Sequence, residues 1–393
     1  MQSSSGITFI LFRYGLEVSP TVKGIGEYFS SVGSRCFIIT DELKREKNFS
    51  LPYAEIVTAT PWYLSEAWEE QIIGIVKKVP LNRRRLIPFL RSYFQTSRRK
   101  QFVSFLSSNL PVKTLVCCFE FHSLSAAVES GVPLENIIYF SLELDQLMRE
   151  YPKEYCANLL TRCRGSVVQD DTRAADLNRF LGTSIDFALL PVSRTPVLWK
   201  ERKVSEGISL IFSGYFARWS CVEESVSAFM QMHAIGDCTL TLQGHAVGTE
   251  KYLEKVQSMA ASDDRITLIT DFFSDDDHLQ MLRRHDIGIA LYQADTDIFN
   301  WDNLLFSSGK IANYAWAGLA IITNIESPIT KEPPFLFMKD ITPQGLGQCI
   351  KSYLADRQRY HEAAKALAHK YYDLFAYMKV VEERFISQSL DAA

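Results

Sequence analysis

The sequence contains no apolar run that approaches the roughly 20 residues a membrane-spanning helix needs. Its N-terminus, MQSSSGITFI, lacks the basic region and hydrophobic core of a secretory leader. It also has no low-complexity tract and no internal repeat, so neither a disordered chain nor a solenoid is expected. These absences predict a globular protein of the cytoplasm.

Cysteine is sparse and has no metal-binding pattern. None of the eight cysteines forms a CxxC pair, and no Cys/His group has the spacing of zinc ligands. We expect the cysteines to be small buried side chains in a reducing compartment. The net charge is −4, so the chain as a whole has no general attraction for nucleic acid. The prediction is a protein without a metal site and without a nucleic-acid partner.

The chain is long enough for two domains. It has 393 residues, whereas a single hydrophobic core stops growing near about 250 residues. Apolar strand-like runs alternate with helical patterns in both halves, which is typical of parallel sheets covered by helices. Prolines and a charge cluster in Pro191–Gly207 separate the halves. We therefore predict an α/β fold with doubly wound domains at 1–195 and 205–373, followed by a helix in 374–393.

The stretch NLLFSSGKIANYAWAGLAIIT (Asn303–Thr323) has the strongest functional pattern. A polar turn leads into a helical pattern, which ends at Gly318 before an apolar strand. The turn consists of Ser307, Ser308, Gly309 and Lys310. Hydroxyls, backbone N–H groups and a lysine at a helix N-terminus favour anions. We interpret the turn as a phosphate-binding site, and the alternative is an ordinary helix–strand unit without a ligand.

This stretch resembles the donor-binding segment of GT-B glycosyltransferases, particularly the family-4-like group, in which a pattern close to K..EYMA.G.PVI occurs. The resemblance implies GT-B architecture: two Rossmann-like domains that face each other across a cleft, with the final helix crossing back to the first domain. Two glutamates of the family pattern are absent. Asn313 stands at one position, and Leu305 stands at the companion position eight residues earlier.

The resemblance implies further donor-binding residues in the second domain. Enzymes of this type supply a basic residue to the donor pyrophosphate from the first turn of that domain, where Arg218 is the candidate. The glycine turn GHAVG places Gly244 and His245 against the nucleotide. The full predicted donor set is Arg218, Gly244, His245, Ser307, Ser308, Gly309, Lys310 and Asn313.

Candidate residues of the first domain follow two of its strands. Glu120 and His122 come after TLVCCF, at the sheet edge where open α/β proteins bind ligands. The resemblance implies that His122 faces the transferred sugar, whereas a structural histidine is the alternative. Glu120 is the candidate base if the reaction inverts configuration. Gly24 and Gly26 are candidates for close approach of the acceptor or the sugar, with a flexible helix start as the equal alternative.

A basic segment lies between the two halves of the first domain. The region 70–120 contains ten basic residues and no acid other than its two terminal glutamates. Within 82–102, Arg84, Arg91 and Arg98 recur every seven residues. The apolar helical stripe beside them consists of Leu86, Leu90, Tyr93 and Phe94. This pattern favours contact with an anionic membrane, which resembling enzymes use to reach lipid-linked acceptors. A core-packed helix with a solvated basic face is the alternative.

Taken together, these features predict a glycosyltransferase that moves a sugar from a UDP- or GDP-sugar to a glycan, glycolipid or polysaccharide precursor. The resemblance implies retention of configuration, no metal and no other cofactor, with Arg218 and Lys310 stabilising the leaving diphosphate. The enzyme is expected in the cytoplasm, at the inner face of the plasma membrane if the basic segment binds lipid. Two alternatives stay open: a catalytically silent GT-B-like binding protein and a sugar-nucleotide epimerase.

Overall fold

The computed structural model describes residues 6–13, 19–41, 50–59, 65–78, 83–110, 114–142, 150–199, 207–232, 237–246, 250–293 and 304–387. The chain divides into two compact units. Unit 1 consists of Met1–Leu190 and Phe375–Ala393, and unit 2 is Pro191–Leu374. The division falls at the first residue of the proline-containing segment that the sequence places between the halves.

Unit 1 is built on a seven-stranded parallel sheet in the order β3-β2-β1-β4-β5-β6-β7. Its strands are β1 (Ile7–Leu11), β2 (Cys36–Thr40), β3 (Ala54–Thr58), β4 (Leu115–Phe119), β5 (Ile137–Ser141), β6 (Gly165–Val168) and β7 (Ala188–Leu189). All residues of the central strands β1 and β5 are buried, whereas the edge strand β3 is partly exposed. Near-continuous apolar runs produce this pattern because helices cover both faces of a parallel sheet.

Among the described residues of unit 1, six helices connect these strands. They are α1 (Pro20–Ser31), α2 (Glu66–Lys78), α3 (Arg83–Asn109), α4 (Glu120–Glu129), α5 (Lys153–Leu160) and α6 (Asp171–Leu181). Local signals set their ends: Ser19 caps α1 by accepting the N–H of Val22 at 3.4 Å, and Pro20 follows in the first turn. Asp170 caps α6, which ends at Gly182 with φ 66°.

Unit 2 repeats the plan with a six-stranded parallel sheet in the order β10-β9-β8-β11-β12-β13. Its strands are β8 (Ile208–Phe216), β9 (Cys238–Ala246), β10 (Ile266–Ile269), β11 (Ile287–Ala290), β12 (Ala320–Thr323) and β13 (Phe335–Phe337). Its helices are α7 (Val222–Gln231), α8 (Glu250–Ala260), α9 (Asp275–Leu282), α10 (Leu304–Ser307), α11 (Gly309–Ala317), α12 (Pro343–Ala355) and α13 (Arg357–Tyr371). Gly318, at φ 77°, ends α11 as the sequence predicts.

The final helix, α14 (Leu374–Phe385), packs within unit 1 from its second residue onward. The ring of Phe375 lies edge-on to Tyr28 of α1, whose hydroxyl donates to Glu382. Arg384 pairs with Asp186 and donates to the carbonyl of Phe187 at 3.1 Å. The C-terminal helix therefore belongs to the unit formed by the N-terminal half.

The predicted fold class, two doubly wound α/β domains, is confirmed. Seven of the eight cysteines are buried and none is disulfide-bonded, which agrees with their prediction as small core side chains. In the part of the chain that the structure describes, no helix is long and apolar enough to cross a membrane. Among the same residues, no group of three or more Cys, His, Asp or Glu side chains could hold a metal ion.

Candidate functional site

Each unit has a natural ligand-binding edge. Open parallel sheets bind ligands outside the carboxyl ends of their strands, where the strand order reverses. That reversal lies between β1 and β4 in unit 1 and between β8 and β11 in unit 2. The predicted site residues divide between these two edges.

In unit 2, two glycines are paired across the ends of β8 and β9. Gly214 and Gly244 are register partners with φ values of 151° and 152°. A Cβ on Gly244 would overlap the carbonyl oxygen of Gly214, and a Cβ on Gly214 would lie 3.1 Å from Cδ of Lys310. Only glycine fits at Gly244, because both the backbone conformation and the close approach exclude a side chain. Gly244 was a predicted residue, whereas Gly214 was not.

Lys310 lies against this glycine pair with its ammonium among three aromatic rings. Its Nζ is 4.6 Å from the ring centroid of Phe212, 4.6 Å from that of Tyr292 and 5.4 Å from that of Trp219. The Nζ is buried and has no hydrogen-bond partner among the described residues, although the side chain as a whole is partly accessible. Ring faces attract a cation, but they satisfy none of its three donors.

Burial decides the protonation of Lys310. Desolvation lowers the pKa of Lys310 to about 7, and the nearby Cys221 opposes this shift only weakly. An anion beside the ammonium would favour its charged form and raise the pKa again. The position is therefore suited to a ligand that brings negative charge.

The aromatic rings around Lys310 are held firmly. Trp219 stacks on Tyr292 with an interplanar angle of 5° and a centroid separation of 6.3 Å. The hydroxyl of Tyr292 is hydrogen-bonded to Oγ of Ser308, and its backbone N–H donates to Oδ1 of Asn324 at 2.9 Å. The predicted residue Ser308 therefore contributes by fixing a ring of the lysine site.

The segment before Lys310 differs from the predicted open loop. Residues Leu304–Ser307 form the short helix α10, and the N–H of Ser308 donates to the carbonyl of Leu304 at 2.9 Å. This N–H is therefore already used, which corrects the prediction that the whole Ser307–Gly309 backbone binds phosphate. The remaining N-terminal positions of α11 start at Gly309, with Lys310 next.

The two residues at the glutamate positions of the family pattern differ in burial. Asn313 lies on α11, one turn after Lys310, and is half-buried. Leu305, at the companion glutamate position of the family pattern, is buried in the hydrophobic core of unit 2. An acid at Leu305 would thus be desolvated, so the apolar residue there suits this packing.

Arg218 opens the turn that carries Trp219. It begins a single-turn 3₁₀ helix, Arg218–Ser220, directly after β8. Its carbonyl accepts the N–H of Cys221 at 3.1 Å, whereas its exposed side chain forms no hydrogen bond or ion pair with any other described residue. Its guanidinium is therefore free to meet a ligand at the same edge as Lys310.

His245 belongs to an aromatic cluster at the carboxyl ends of β8 and β9. Its ring centroid is 4.9 Å from Tyr215 and 4.5 Å from Phe272, which follows β10. Tyr215 and Phe272 are both exposed. Exposed ring faces of this kind stack on planar bases. The sequence identified His245 but neither of its aromatic neighbours.

In unit 1, two residues with unusual backbone angles flank the strand reversal. Arg13 follows β1 with φ 62°, and Glu120 follows β4 with φ 66°. β1 and β4 are hydrogen-bonded neighbours, so these residues lie at adjacent strand ends. Positive φ is uncommon outside glycine, and such strain concentrates at functional sites. Glu120 was predicted as a site residue, whereas Arg13 was missed.

His122 is the centre of a polar cluster at this edge. Its Nδ1 lies 2.6 Å from the hydroxyl of Tyr151, and its Nε2 lies 3.2 Å from a guanidinium nitrogen of Arg13 and 3.0 Å from Glu150. Arg13 and Glu150 also form an ion pair at 3.2 Å. Burial, assisted by Arg13, lowers the pKa of His122 to about 4, while Glu150 opposes the shift. The imidazole is therefore neutral at pH 7.

Glu120 has a different environment. Its buried side chain accepts the N–H of Leu142, at the end of β5, at 2.7 Å. This contact joins the ends of β4 and β5. The carboxylate thus contributes to the shape of the edge.

The structure corrects the prediction for Gly24 and Gly26. Both lie inside α1 and are buried, because Ser19 and Pro20 start the helix before them. A Cβ on Gly26 would come within 2.7 Å of the ring of Tyr53. Gly26 allows this close approach of Tyr53, and both glycines lie within a helix instead of a loop or a flexible helix start.

The structure also corrects the alternative for the basic segment, in which α3 has a solvated basic face. Arg98 is only 6% exposed and pairs with Glu69 and, at 3.6 Å, with Glu66. Arg91 lies 3.7 Å from Glu70. The helical stripe also differs, since Tyr93 is exposed while Phe94 is buried. The side chain of Arg84 lies outside the described residues. Carboxylates of α2 thus pair with the basic face of α3, which the alternative places in solvent.

Several functional candidates had no usable signal in the sequence. Phe212 and Tyr292 sit in or directly after buried strands, where any large apolar residue is expected. Their shared contact with Lys310 depends on three separate elements meeting in space. Tyr151 and Arg13, which both contact His122, are likewise far apart in sequence. The glycine in the sequence FSGYF was a local clue to Gly214, which the structure places near the end of β8.

No protein-family model matches the sequence, and no curated protein is similar to it in sequence. Solved structures do match in fold. HepE of Anabaena in complex with UDP-glucose aligns with a TM-score of 0.64 over 99% of this chain and 100% of its own, at 11% identity. The trehalose 6-phosphate synthase of Burkholderia multivorans aligns with a TM-score of 0.62 over 99% and 100%, at 12% identity.

A third match is the N-terminal domain of Candida albicans trehalose-6-phosphate phosphatase, with a TM-score of 0.66 over 97% of this chain and 96% of that domain, at 8% identity. HepE and the trehalose-6-phosphate synthases are GT-B glycosyltransferases. At these identities the likeness establishes architecture. This chain therefore has the GT-B fold.

Proposed function

We propose that this chain transfers a sugar from a nucleoside diphosphate sugar to an acceptor. The observation that carries the proposal is the buried ammonium of Lys310, which has no hydrogen-bond partner among the described residues and lies at the ligand-binding edge of unit 2. A buried charge without a partner is costly, so an anion that enters this edge gains a strong interaction. The solved structures of HepE with UDP and UDP-glucose support a nucleotide as that anion.

The donor is proposed to lie along the edge of unit 2. Its diphosphate meets Lys310 and Arg218, and its uracil or guanine stacks on the aromatic cluster of Tyr215, His245 and Phe272. As the bond to the sugar breaks, negative charge grows on the diphosphate. The positive charges of Lys310 and Arg218 stabilise the transition state, in which this charge is larger, more than they stabilise the bound donor. This difference lowers the barrier.

The second part of the proposal concerns the edge of unit 1. Neutral His122 lies at the edge where the transferred sugar is proposed to bind, and it adds no charge there. Tyr151 holds Nδ1, and Arg13 and Glu150 lie at Nε2, so a sugar hydroxyl that binds the imidazole replaces one of these contacts. Glu120 is already bound to the backbone of Leu142, which supports retention without a dedicated base. If configuration inverts instead, Glu120 is the base. Unit 1 holds the acceptor, a glycan or a lipid-linked glycan.

We also propose that catalysis needs no metal, because Lys310 and Arg218 supply the positive charge that a metal provides in other transferases. Turnover is expected to persist in excess EDTA. Loss of all turnover on chelation, restored by manganese or magnesium, would reject this part of the proposal.

The test of the main proposal is a panel of UDP- and GDP-sugars. Ligands that bind the folded state raise the unfolding temperature, and Lys310→Ala is expected to remove that rise. Active donors are then incubated with glycan acceptors, and the released nucleotide and glycosylated product are separated by chromatography. A panel that neither shifts the unfolding temperature nor yields product would refute the transferase.

A catalytically silent nucleotide-binding protein is the second candidate. It is favoured by Leu305 and Asn313, which replace the two glutamates of the family pattern, and by the burial of Leu305 in the core. The two candidates separate in the same experiment. A silent protein gives the unfolding shift with a UDP- or GDP-sugar but no product with any acceptor.

Peripheral membrane binding through residues 82–102 remains part of the proposal, in a narrower form. Phe89 and Tyr93 on α3 are 65% and 57% exposed and flank the accessible Arg91. Aromatic and basic side chains together suit an anionic lipid interface, here the inner face of the plasma membrane. Phe89→Ser with Tyr93→Ser is expected to abolish sedimentation with anionic vesicles at low salt. Wild-type protein that stays in the supernatant would end this proposal.

A further inference from the structure

Unit 1 contains a cavity of about 250 Å³ beside the His122 cluster. It lies where α2 and α3 meet the carboxyl ends of β1 and β2, through Phe12, Arg13 and Asp41. Pockets for drug-sized ligands measure roughly 300–1,000 Å³, so this one suits a smaller ligand such as one sugar ring. Arg13 belongs both to the cavity and to the surroundings of His122.

Most residues that line the cavity are charged, and their positive and negative charges nearly cancel. Its described carboxylates are Asp41, Glu66, Glu69 and Glu70, its guanidiniums are Arg13, Arg91 and Arg98, and Phe12 and Gln95 complete it. Four negative charges against three positive ones leave one excess negative charge. The cavity therefore has no net attraction for an anion.

Each arginine of the lining already has a carboxylate partner. Arg98 pairs with Glu69 and Glu66, and Arg91 lies 3.7 Å from Glu70. Arg13 lies 3.2 Å from Glu150, and its backbone N–H donates to Asp41 at 3.2 Å. A phosphate that entered here would have to compete with these carboxylates, and it would meet their repulsion.

Hydroxyl groups suit such a lining. A carboxylate oxygen has more lone-pair sites than one ion pair uses, and a guanidinium has five donors. A sugar hydroxyl can donate to the first and accept from the second without changing the net charge. Charged partners make these hydrogen bonds stronger than neutral ones.

We propose that this cavity binds a neutral sugar ring and discriminates against a phosphorylated one. The inference rests on the proposed transferase function and specifies its acceptor: the residue that enters unit 1 is an uncharged sugar of a glycan or glycolipid. A sugar phosphate is disfavoured by the carboxylates that already pair with Arg91 and Arg98 of α3 and with Arg13, which follows β1.

The first experiment measures binding by ligand-observed NMR with two probe sets. One contains the neutral methyl glycosides of glucose, galactose and mannose, and the other contains the 6-phosphates of the same sugars. Wild-type protein is expected to bind at least one neutral glycoside and to bind its 6-phosphate more weakly. Tighter binding of the phosphates, or binding of no glycoside, would overturn the inference.

Two variants locate the binding. Gln95 lines the cavity from an exposed position on α3, and Thr96 is its exposed neighbour outside the lining. Gln95→Trp is expected to reduce glycoside binding at least about tenfold by filling the cavity, a loss of about 1.4 kcal/mol. Thr96→Trp, on the same helix, is expected to leave it unchanged. Equal effects of the two variants would place the sugar elsewhere and reject the cavity.

A matched pair of charge variants tests the discrimination. Glu70 neutralises Arg91 inside the cavity at 3.7 Å, and Glu55 neutralises Arg35 outside it at 3.9 Å. Glu70→Gln is expected to raise affinity for the sugar 6-phosphate about two- to fivefold, the size of one exposed charge interaction. Glu55→Gln is expected to have no effect. If Glu70→Gln leaves the phosphate affinity unchanged, paired charge is not what excludes phosphate.

Failure of this inference differs from failure of the proposed function. UDP binding is measured on the same wild-type preparation by calorimetry. UDP binding with no glycoside binding overturns the cavity assignment alone. Glycoside binding at the cavity without binding of any nucleotide sugar overturns the transferase and leaves a sugar-binding unit.

Discussion

Units 1 and 2 have the same strand order up to the sixth strand but opposite electrostatics at the point where that order reverses. In unit 1 the charged groups satisfy one another: Arg13, Glu150 and His122 lie within 3.2 Å. In unit 2 the buried ammonium of Lys310 contacts three ring faces and has no hydrogen-bond partner among the residues that the structure describes. The charges at one edge are paired, whereas the other edge holds a buried ammonium without a hydrogen-bond partner among the described residues. Identical topology therefore does not determine the electrostatics of an edge, and we propose that the two edges bind different ligands.

The largest effect is expected at Gly244, where the backbones of β8 and β9 approach each other without a side chain between them. Gly244→Ala places a methyl group against the carbonyl of Gly214, so strands β8 and β9 must separate. We expect a loss of about 3 kcal/mol or more in the free energy of unfolding, measured by urea denaturation.

Gly131 of unit 1 provides the control for Gly244. It also has a positive φ, 95°, but a Cβ there would meet no atom within 4 Å. Gly131→Ala is expected to cost only the backbone strain, about 1–2 kcal/mol. Equal losses for the two variants would show that the close approach at Gly244 has no special weight.

The second prediction concerns the anion site itself. Lys310→Met keeps an apolar chain among the rings but removes the charge. UDP affinity, measured by calorimetry at pH 6.5 where Lys310 is largely protonated, is expected to fall by about 1.5–3 kcal/mol, the value of a charged hydrogen bond. Lys255→Met, which removes a surface lysine paired with Glu223 in the same unit, is the control and is expected to bind normally. Unchanged affinity in folded Lys310→Met protein would reject the site.

The fold was predictable because its signals are local. Apolar runs, the proline before α1, and Gly318 after α11 each act within a few residues. The strand–helix alternation then leaves few topologies, since parallel crossovers are right-handed. Local signals did not decide the structure around Gly24 and Gly26, because a GxG pattern can occur in a buried helix as well as in a ligand-binding loop.

The sites were only partly predictable because they depend on distant contacts. The pattern around Lys310 identified the lysine, but the three rings that surround it come from positions 212, 219 and 292. The seven-residue spacing of Arg84, Arg91 and Arg98 indicated a single helical face. It could not show that the acids of α2 cover Arg98. Pairing between helices is a tertiary property, so periodicity within one helix does not contain it.

The third prediction uses the proton of Lys310. Its pKa of about 7 leaves the amine mostly neutral at pH 8, and a bound diphosphate is expected to recharge it. UDP binding at pH 8 should therefore take up close to one proton, measured by calorimetry in buffers with different ionisation enthalpies. Lys310→Met should take up none. Proton uptake that is equal in both proteins would assign the proton to another group.

The lowered pKa of Lys310 also has a consequence for stability. Between about pH 7 and 10.5 the unfolded chain holds a proton that the folded chain has lost. The free energy of unfolding therefore rises with pH across this window, and Lys310→Met should reduce that rise.

The smallest effect concerns His122, the counterpart of Lys310 in unit 1. Burial and Arg13 both lower its pKa, to about 4, whereas Glu150 opposes them. Arg13→Gln removes the cation and leaves the acid, so the pKa of His122 should rise toward its usual 6.5, as followed by NMR titration of the imidazole Cε1 proton.

In the wild type, the free energy of unfolding falls as pH drops from 6.5 toward 4, because His122 binds a proton in the unfolded chain but not in the folded chain. In Arg13→Gln, the pH range over which the free energy of unfolding falls should be narrower. Arg35→Gln, which removes an exposed arginine of the same unit, should leave both the titration and this pH range unchanged. A His122 pKa that stays near 4 in Arg13→Gln would mean that burial and Arg99 set it without Arg13.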